Sequence, residues 1–311
     1  MAIRRRARSL AGRIRRRALG LARQGPLATL TRPVGQILHR IRPPARVRLP
    51  VPRGFSARRR HLDLEPAAAT HIGRQVVAEG MGRYEPEVYA MVGALLEAER
   101  IDTLLDIGAN IGLFSLSTAA LFGDRVRVTA FEPLPWLADT VVACAEANDL
   151  TLGVERVALS SSDGHAQFYV SKQSDTSSSL NPDFRPHASV VEVSVRKLDT
   201  FPVKRGTKLL MKVDTESTEP DVLDGAMGFI KEHQPWIICE VLKGRTEEAL
   251  AERFAKLGYV GMPVRPDPTW APAEIAGDPE YRYRDWLFGP GIPGPEVRRR
   301  FDAWLEATLA A

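Results

Sequence analysis

Several groups of residues have the types and spacing to do chemistry. Asp106-Ile107-Gly108-Ala109-Asn110-Ile111-Gly112 follows Leu104 and Leu105 and precedes Leu113 and Phe114, so it reads as a short strand, a glycine turn and the start of a helix. Gly108 permits a sharp turn, and Gly112 is expected to let the helix backbone come close to a ligand. The N–H groups of the helix's first turn are expected to face a crevice. Glu132 lies 24 residues past Gly108, at the end of an apolar strand over 126–131. Doubly wound folds place a carboxylate there to accept both hydroxyl hydrogens of a ribose; the alternative is a solvated acid at a strand end. Asp214 and Glu216 follow the apolar residues Leu209 to Val213. Carboxylates at such a strand end can hold a ligand or take a proton from a reacting hydroxyl, and can equally cap the next helix. Glu240, ending a fifth strand, and His187, in a polar loop, are further candidates for acceptor contact and base. The six histidines are scattered and none pairs with cysteine or histidine at zinc spacing, so no metal site is expected; only Asp214 with Glu216 could share a hard cation.

The elements that must position these residues alternate between strand and helix. A helix over 85–100 carries Val88, Met91, Val92, Leu95 and Leu96 on one face, with Tyr84 and Glu85 placed to cap it. After the opening strand come a helix over 113–122 ended by Gly123, a strand over 126–131, a helix over 137–148 and a third strand over 154–159. Short strands over 167–170 and 190–195 flank a serine-rich stretch, 171–187, too long for a simple connection and expected to be either disordered or a lid. Strands over 209–213 and 236–241 enclose one helix over 219–233. A helix over 246–257, strands over 259–264 and 286–288, and a terminal helix over 296–309 complete the series, and 265–284, rich in proline and aromatics, is expected near the crevice mouth. Such alternation is the signature of a mostly parallel sheet covered on both faces.

The net charge of +5 hides an asymmetry. Residues 1–60 hold 18 of the 43 basic residues, all arginine, and no acid, whereas the remainder carries a net −13. In the first 23 residues an apolar stripe (Ile3, Ala7, Leu10, Ile14, Ala18, Leu21) runs at helical spacing among arginines. That pattern suits an anionic membrane surface, a partner-binding or solvated arm, a targeting segment or a nucleic-acid contact. The four prolines in 43–52 read as a linker. No run of apolar residues is long enough to span a membrane. Cys144 and Cys239 lie far apart in apolar surroundings and read as buried free thiols, which fits a reducing compartment. An acidic body makes nucleic acid an unfavoured substrate.

Five blocks in order, Asp106-Ile-Gly-Ala-Asn-Ile-Gly112, Ala130-Phe-Glu-Pro133, Val157-Ala-Leu-Ser160 with Gly164, Ser177-Ser-Ser-Leu180, and Lys212-Val-Asp-Thr-Glu216 with Val222-Leu-Asp-Gly-Ala226, resemble the FkbM-type methyltransferases over residues 84–290. The resemblance implies an α/β class I methyltransferase (Rossmann-like) fold, a doubly wound, mostly parallel seven-stranded sheet with helices on both faces, and S-adenosylmethionine as cofactor. It implies that Asp106, Gly108, Ala109, Asn110 and Gly112 line the methionine and ribose end, that Glu132 binds the ribose hydroxyls, and that Ala158 and Leu159 contact the adenine. Asp214 and Glu216 are then the catalytic candidates, Asp214 touching cofactor or acceptor and Glu216 serving as base. Where the family usually has glycine after the fourth-strand Asp-x-Glu, this chain has Ser217, which costs about 1 kcal/mol if the turn keeps a positive φ.

The expected organisation is an arm and linker over 1–60, a methyltransferase domain over 61–290 with a helical lead-in to 100, and a C-terminal helix in 291–311. The expected activity is O-methylation of a hydroxyl on a small molecule or glycan. A dinucleotide-dependent oxidoreductase is the rival, disfavoured because the turn lacks the G-x-G-x-x-G spacing. An inactive methyltransferase-like binding protein localised by its basic arm is the other. The expected location is cytoplasmic or peripheral at a membrane, with an anionic membrane or a protein as the partner of residues 1–60.

Overall fold

The computed structural model describes residues 45–172, 174 and 176–311, so the arginine-rich stretch of the first 23 residues lies outside the described residues. Strand β1 (Arg46–Arg48) pairs antiparallel with β2 (His61–Asp63). Residues 45–60, expected to belong to arm and linker, therefore fold with the body: Val47, Leu49 and Phe55 are buried in its main core. Residues 45–311 form one compact unit.

Helix α1 (His71–Glu79) and helix α2 (Pro86–Ala98) lead into β3 (Thr103–Ile107), α3 (Leu113–Phe122), β4 (Arg127–Phe131), α4 (Pro135–Ala147) and β5 (Gly153–Glu155). A second group follows, β6 (Ala158–Leu159), β7 (Gly164–Ser171) and β8 (His187–Arg196). The chain then returns through β9 (Leu209–Val213), α5 (Glu219–Asp224), α6 (Met227–His233), β10 (Trp236–Glu240), α7 (Glu247–Leu257), β11 (Val260–Pro263), β12 (Asp285–Gly289) and α8 (Pro295–Leu309).

The main sheet has seven strands in the order β11-β12-β10-β9-β3-β4-β5. It is parallel except at β12, which runs against both β10 and β11. All five residues of β3 and of β9 are buried, which is why these strands are mostly apolar and do not alternate; Asp106 and Lys212 are the charged residues in them. Every residue of α3 is buried as well, so this helix lies inside the protein and its serines and threonine need internal partners.

Three sequence expectations change here. The strand expected over 154–159 divides: 153–155 pair with β4, and 158–159 leave to pair with β8 in a separate three-stranded sheet, β6-β8-β7. The helix expected over 219–233 is broken at Gly225-Ala226. There a Cβ on Gly225 would stand 1.9 Å from the Ser160 backbone oxygen, and Asp199 Oδ1 accepts the Phe229 N–H at 2.7 Å to start the second piece. The terminal helix, expected beyond the methyltransferase domain, packs into the core through Trp304, whose ring occupies the space a Cβ on Gly93 would need. Cys144 and Cys239 are buried and unbridged, as expected. Among the described residues no helix is long and apolar enough to cross a membrane.

Candidate active site

A crevice opens at the carboxyl ends of β3, β4 and β9, the edge where open α/β sheets bind ligands. Its floor is the turn after β3. Gly108 has φ +80°, and a Cβ there would collide with the Asp214 backbone oxygen, so this glycine serves both the turn and the close approach of two strand ends. Gly112, at φ +71°, is not on the crevice wall; a Cβ there would meet Val141 of α4 at 2.8 Å. It therefore allows helix α3 to sit against α4 and does not bring backbone to a ligand.

The turn's N–H groups are also spent internally. Gly108 and Ala109 donate to the Phe131 carbonyl at 3.0 and 3.1 Å, and Asn110 donates to Glu132 Oε2 at 2.8 Å. Ile111 donates to Asn110 Oδ1, and Gly112 to the Ala109 carbonyl. A pyrophosphate needs such groups free, so the turn is not built to cradle one.

Asp106, at the end of β3, accepts the N–H and Oγ–H of Ser115 on one oxygen, at 3.1 and 2.6 Å. Its burial, helped by Asp214, holds its carboxyl above the usual range although Lys212 pulls the other way. Glu132 accepts Asn110 N–H on one oxygen and Leu134 N–H on the other, the latter at 2.9 Å. Burial outweighs both bonds and pushes its carboxyl up to about 8. Ala158 and Leu159 lie on the crevice wall with Phe131, Leu134, Leu137 and Phe168, an apolar surface beside Glu132. The structure thus brings together Asp106, Gly108, Ala109, Asn110, Glu132, Ala158, Leu159, Asp214 and Glu216, and leaves out only Gly112.

The facing wall is charged. Lys212 lies beside Asp106 across the β3–β9 register and donates to Asp214 Oδ2 at 2.7 Å. Burial opposes its charge, but Asp214, Glu85, Asp285 and Asp106 outweigh that and hold the ammonium protonated. Asp214 is kept below its ordinary range by Lys212 and Arg284 despite its own burial. Glu216, at φ +55°, is pushed up to about 8 by burial and by Asp214. Neither caps α5. The helix has no side-chain cap; its first residue, Glu219, instead holds the loop before it, its Oε1 accepting Thr215 N–H at 2.9 Å, Thr215 Oγ1–H at 3.1 Å and Ser217 N–H at 3.2 Å. Ser217 keeps the positive φ, 79°, that the family's glycine would favour, and its Oγ accepts Asn181 Nδ2 at 2.9 Å.

The serine-rich stretch lies over this wall. Ser179 Oγ donates to the Glu216 carbonyl at 2.7 Å, and Thr176, Ser177, Ser178, Leu180 and Arg185 line the crevice. His187 is not among the lining residues; it begins β8 with its ring edge-on to Tyr169, so it is not placed to act as base. Glu240 is buried behind the wall in an ion pair with Arg284, which also reaches Glu85 Oε1 at 3.7 Å. One carboxylate oxygen from each of Asp214, Glu216 and Glu240 lies within 4.8 Å of the other two.

Lys212, Arg284, Glu85 and Tyr84 line the crevice and were not singled out from sequence as site residues. Glu85 was expected to cap α2, but it has φ +45°, makes no capping bond and turns inward. The signal for Lys212 was available: a single lysine inside the apolar run Leu209 to Val213. Nothing local marks Arg284, whose partners are 44 and 199 positions away.

Comparison with known proteins identifies a family. The sequence model of the methyltransferase FkbM domain matches residues 106–261, half of the 311-residue chain. Among curated proteins none matches the sequence. Similar solved structures include the methyltransferase FkbM from Methylobacillus flagellatus, 17% identical over 73% of this chain and 61% of that one, with a TM-score of 0.41. TYW2 from M. jannaschii, in complex with AdoMet, is 12% identical over 74% of this chain and 80% of its own, with a TM-score of 0.38. A SAM-dependent O-methyltransferase from Thermotoga maritima is 12% identical over 68% and 66%, with a TM-score of 0.37. The chain spans 61% of the length of the M. flagellatus protein. With the five sequence blocks set around one crevice of a seven-stranded sheet, and the domain match covering half its length, the chain belongs to the FkbM methyltransferase family.

Proposed function

We propose that this protein transfers a methyl group from S-adenosylmethionine to a hydroxyl oxygen of a small molecule or glycan. The observation that carries the reading is the pairing across one crevice of Glu132, a buried carboxylate beside an apolar wall, with the acids Asp214 and Glu216. The residues present fit the cofactor. Glu132 retains lone pairs for two ribose hydroxyls, and Ala158 and Leu159 supply apolar contact for adenine. Bound S-adenosylmethionine would supply an electrophilic methyl group on a sulfonium.

The chain's own residues bind, orient and shield. Asp106 and Glu132 are fixed by Ser115, Asn110 and Leu134, so they hold their positions before a ligand arrives. Thr176 to Leu180, lying over the β9 end, exclude water from it. Glu216, at the crevice wall, receives the proton of the acceptor hydroxyl, and Asp214, neutralised by Lys212, orients it. The spent N–H groups of the turn count against a dinucleotide.

Calorimetric titration with S-adenosylmethionine and with NAD tests the cofactor. Saturable binding of the first alone is expected, and binding of NAD alone overturns the reading. Methyl-label transfer to a panel of hydroxyl, amine and carboxyl acceptors tests the chemistry, with transfer to amines only being the adverse result. We further propose that residues 1–44, which precede the compact body, bring the enzyme to an anionic membrane or a protein partner; sedimentation with anionic vesicles, with and without those residues, tests the membrane case.

A further inference from the structure

The carboxyl ends of β9 and β10 gather more buried carboxylate than their basic side chains can satisfy. Glu85, Asp214, Glu216, Glu240 and Asp285 interact electrostatically within one cluster that contains Lys212 and Arg284. Lys212 donates to Oδ2 of Asp214, and Arg284 to Oε1 of Glu240. That leaves Oε2 of Glu240 buried with no hydrogen-bond partner, on a side chain only 1% exposed. Buried acceptors are nearly always satisfied, so an orphaned carboxylate oxygen points to something that occupies the space beside it.

The geometry around the Glu240 carboxylate is specific. Glu240 offers one ligand atom to a triad with Asp214 and Glu216 whose oxygens all lie within 4.8 Å of one another. Oxygens bound to a common Mg²⁺ or Ca²⁺ at about 2.0–2.6 Å are separated by no more than about twice that distance, so the triad has the span of a cation's ligand set. Two strand ends and a tight turn hold it. Asp214 and Glu216 are half-buried and line the crevice, so the remaining coordination positions would open towards it. The donors are all hard oxygens, with no cysteine or histidine among them, which selects against zinc and copper.

We propose that Asp214, Glu216 and Glu240 form a binding site for one divalent, oxygen-preferring cation such as Mg²⁺, Mn²⁺ or Ca²⁺. The site borders the position proposed for the acceptor, so the cation would be reached by an acceptor oxygen. Binding itself requires neither cofactor nor acceptor.

The test is titration of the full-length protein, first stripped with a chelator, with Mn²⁺ followed by electron paramagnetic resonance, and with Mg²⁺ and Ca²⁺ followed by thermal unfolding. One saturable Mn²⁺ site is expected, with a raised Tm in the presence of any of the three ions. Glu216→Gln, at a half-buried position, and Glu240→Gln should each weaken Mn²⁺ binding at least tenfold, while Glu280→Gln, an acid paired with Arg282 on the surface, should leave it unchanged. Absence of saturable binding to the wild-type protein overturns the proposal, as does binding that Glu216→Gln leaves intact. If Glu240→Gln does not fold, these two measurements still decide. Because cofactor is absent throughout, failure of the cation site leaves the methyl-transfer reading standing, and failure to bind S-adenosylmethionine leaves the cation site standing.

Discussion

Gly108 and Asp214 are in backbone contact across the crevice floor: a Cβ on Gly108 would stand 1.8 Å from the Asp214 carbonyl oxygen. Gly108→Ala must move either the turn or the end of β9, and it also places a side chain at φ +80°. A loss of about 2–4 kcal/mol is expected from the overlap and the left-handed backbone together. Urea unfolding measures it, and calorimetry should show S-adenosylmethionine binding lost under conditions where the variant is still folded. Near wild-type values for both would mean the two strand ends are free to part.

Glu132 makes cofactor binding depend on pH. Burial raises its carboxyl from the usual 4.5 to about 8, whereas ribose hydroxyls donate to the ionised form. Affinity for S-adenosylmethionine should therefore climb between about pH 5 and about pH 8 and level off above. Glu132→Gln should bind roughly 10- to 100-fold more weakly, in line with loss of about 1.5–3 kcal/mol of charge-assisted hydrogen bonding, and should lose the pH dependence.

The same shift governs the stability of the free protein with the opposite sense. A carboxyl whose folded pKa is raised holds its proton more tightly in the folded state, so its contribution is complete below the unfolded value, 4.5, and is lost as pH rises through about 8. Urea midpoints across that range should fall more for wild type than for Glu132→Gln. A wild-type midpoint that instead rises more steeply than the variant's would show the carboxylate to be stabilised by its two backbone donors.

Ser217 holds a positive φ and receives a hydrogen bond from Asn181. Ser217→Ala keeps the strain and loses the bond, so it should be about 1 kcal/mol less stable than wild type. Ser217→Gly exchanges the bond for relief of strain and should fall within about 1 kcal/mol of wild type. The ordering, glycine above alanine, is read from chemical denaturation, and the reverse order would remove backbone strain as the explanation.

Trp304 joins the terminal helix to the body. It is 1% exposed, fills the space over Gly93, meets Phe55 edge-on with ring centroids 5.0 Å apart, and donates from Nε1 to Glu97 at 3.0 Å. Trp304→Ala should cost about 3–5 kcal/mol. Ending the chain at residue 290 should abolish a cooperative thermal transition, and a truncated protein that melts as sharply as the intact one would return that helix to the status of an appendage.

Local chemistry explains what could be read from the chain alone. The strand at 103–107, the turn at Gly108 and the crevice-lining acid Glu132 each depend on neighbours within a few residues or on a fixed strand–helix–strand spacing, so apolar runs and glycine positions were enough to find them. Fold class followed from the same alternation. Tertiary structure decided the rest, because the deciding partners are distant in sequence. Gly112 looks identical to a ligand-facing glycine until Val141 of α4 is seen against it. The division of 154–159 depends on β8, more than 30 residues later, and the break at Gly225 depends on Ser160. Most of all, the acids at 214 and 216 read as a pair in sequence, but burial beside Lys212, Glu240 and Arg284 makes them members of a charged cluster. Charge–charge and desolvation energies depend on separation in space, and that separation exists only once β9, β10 and β12 have come together.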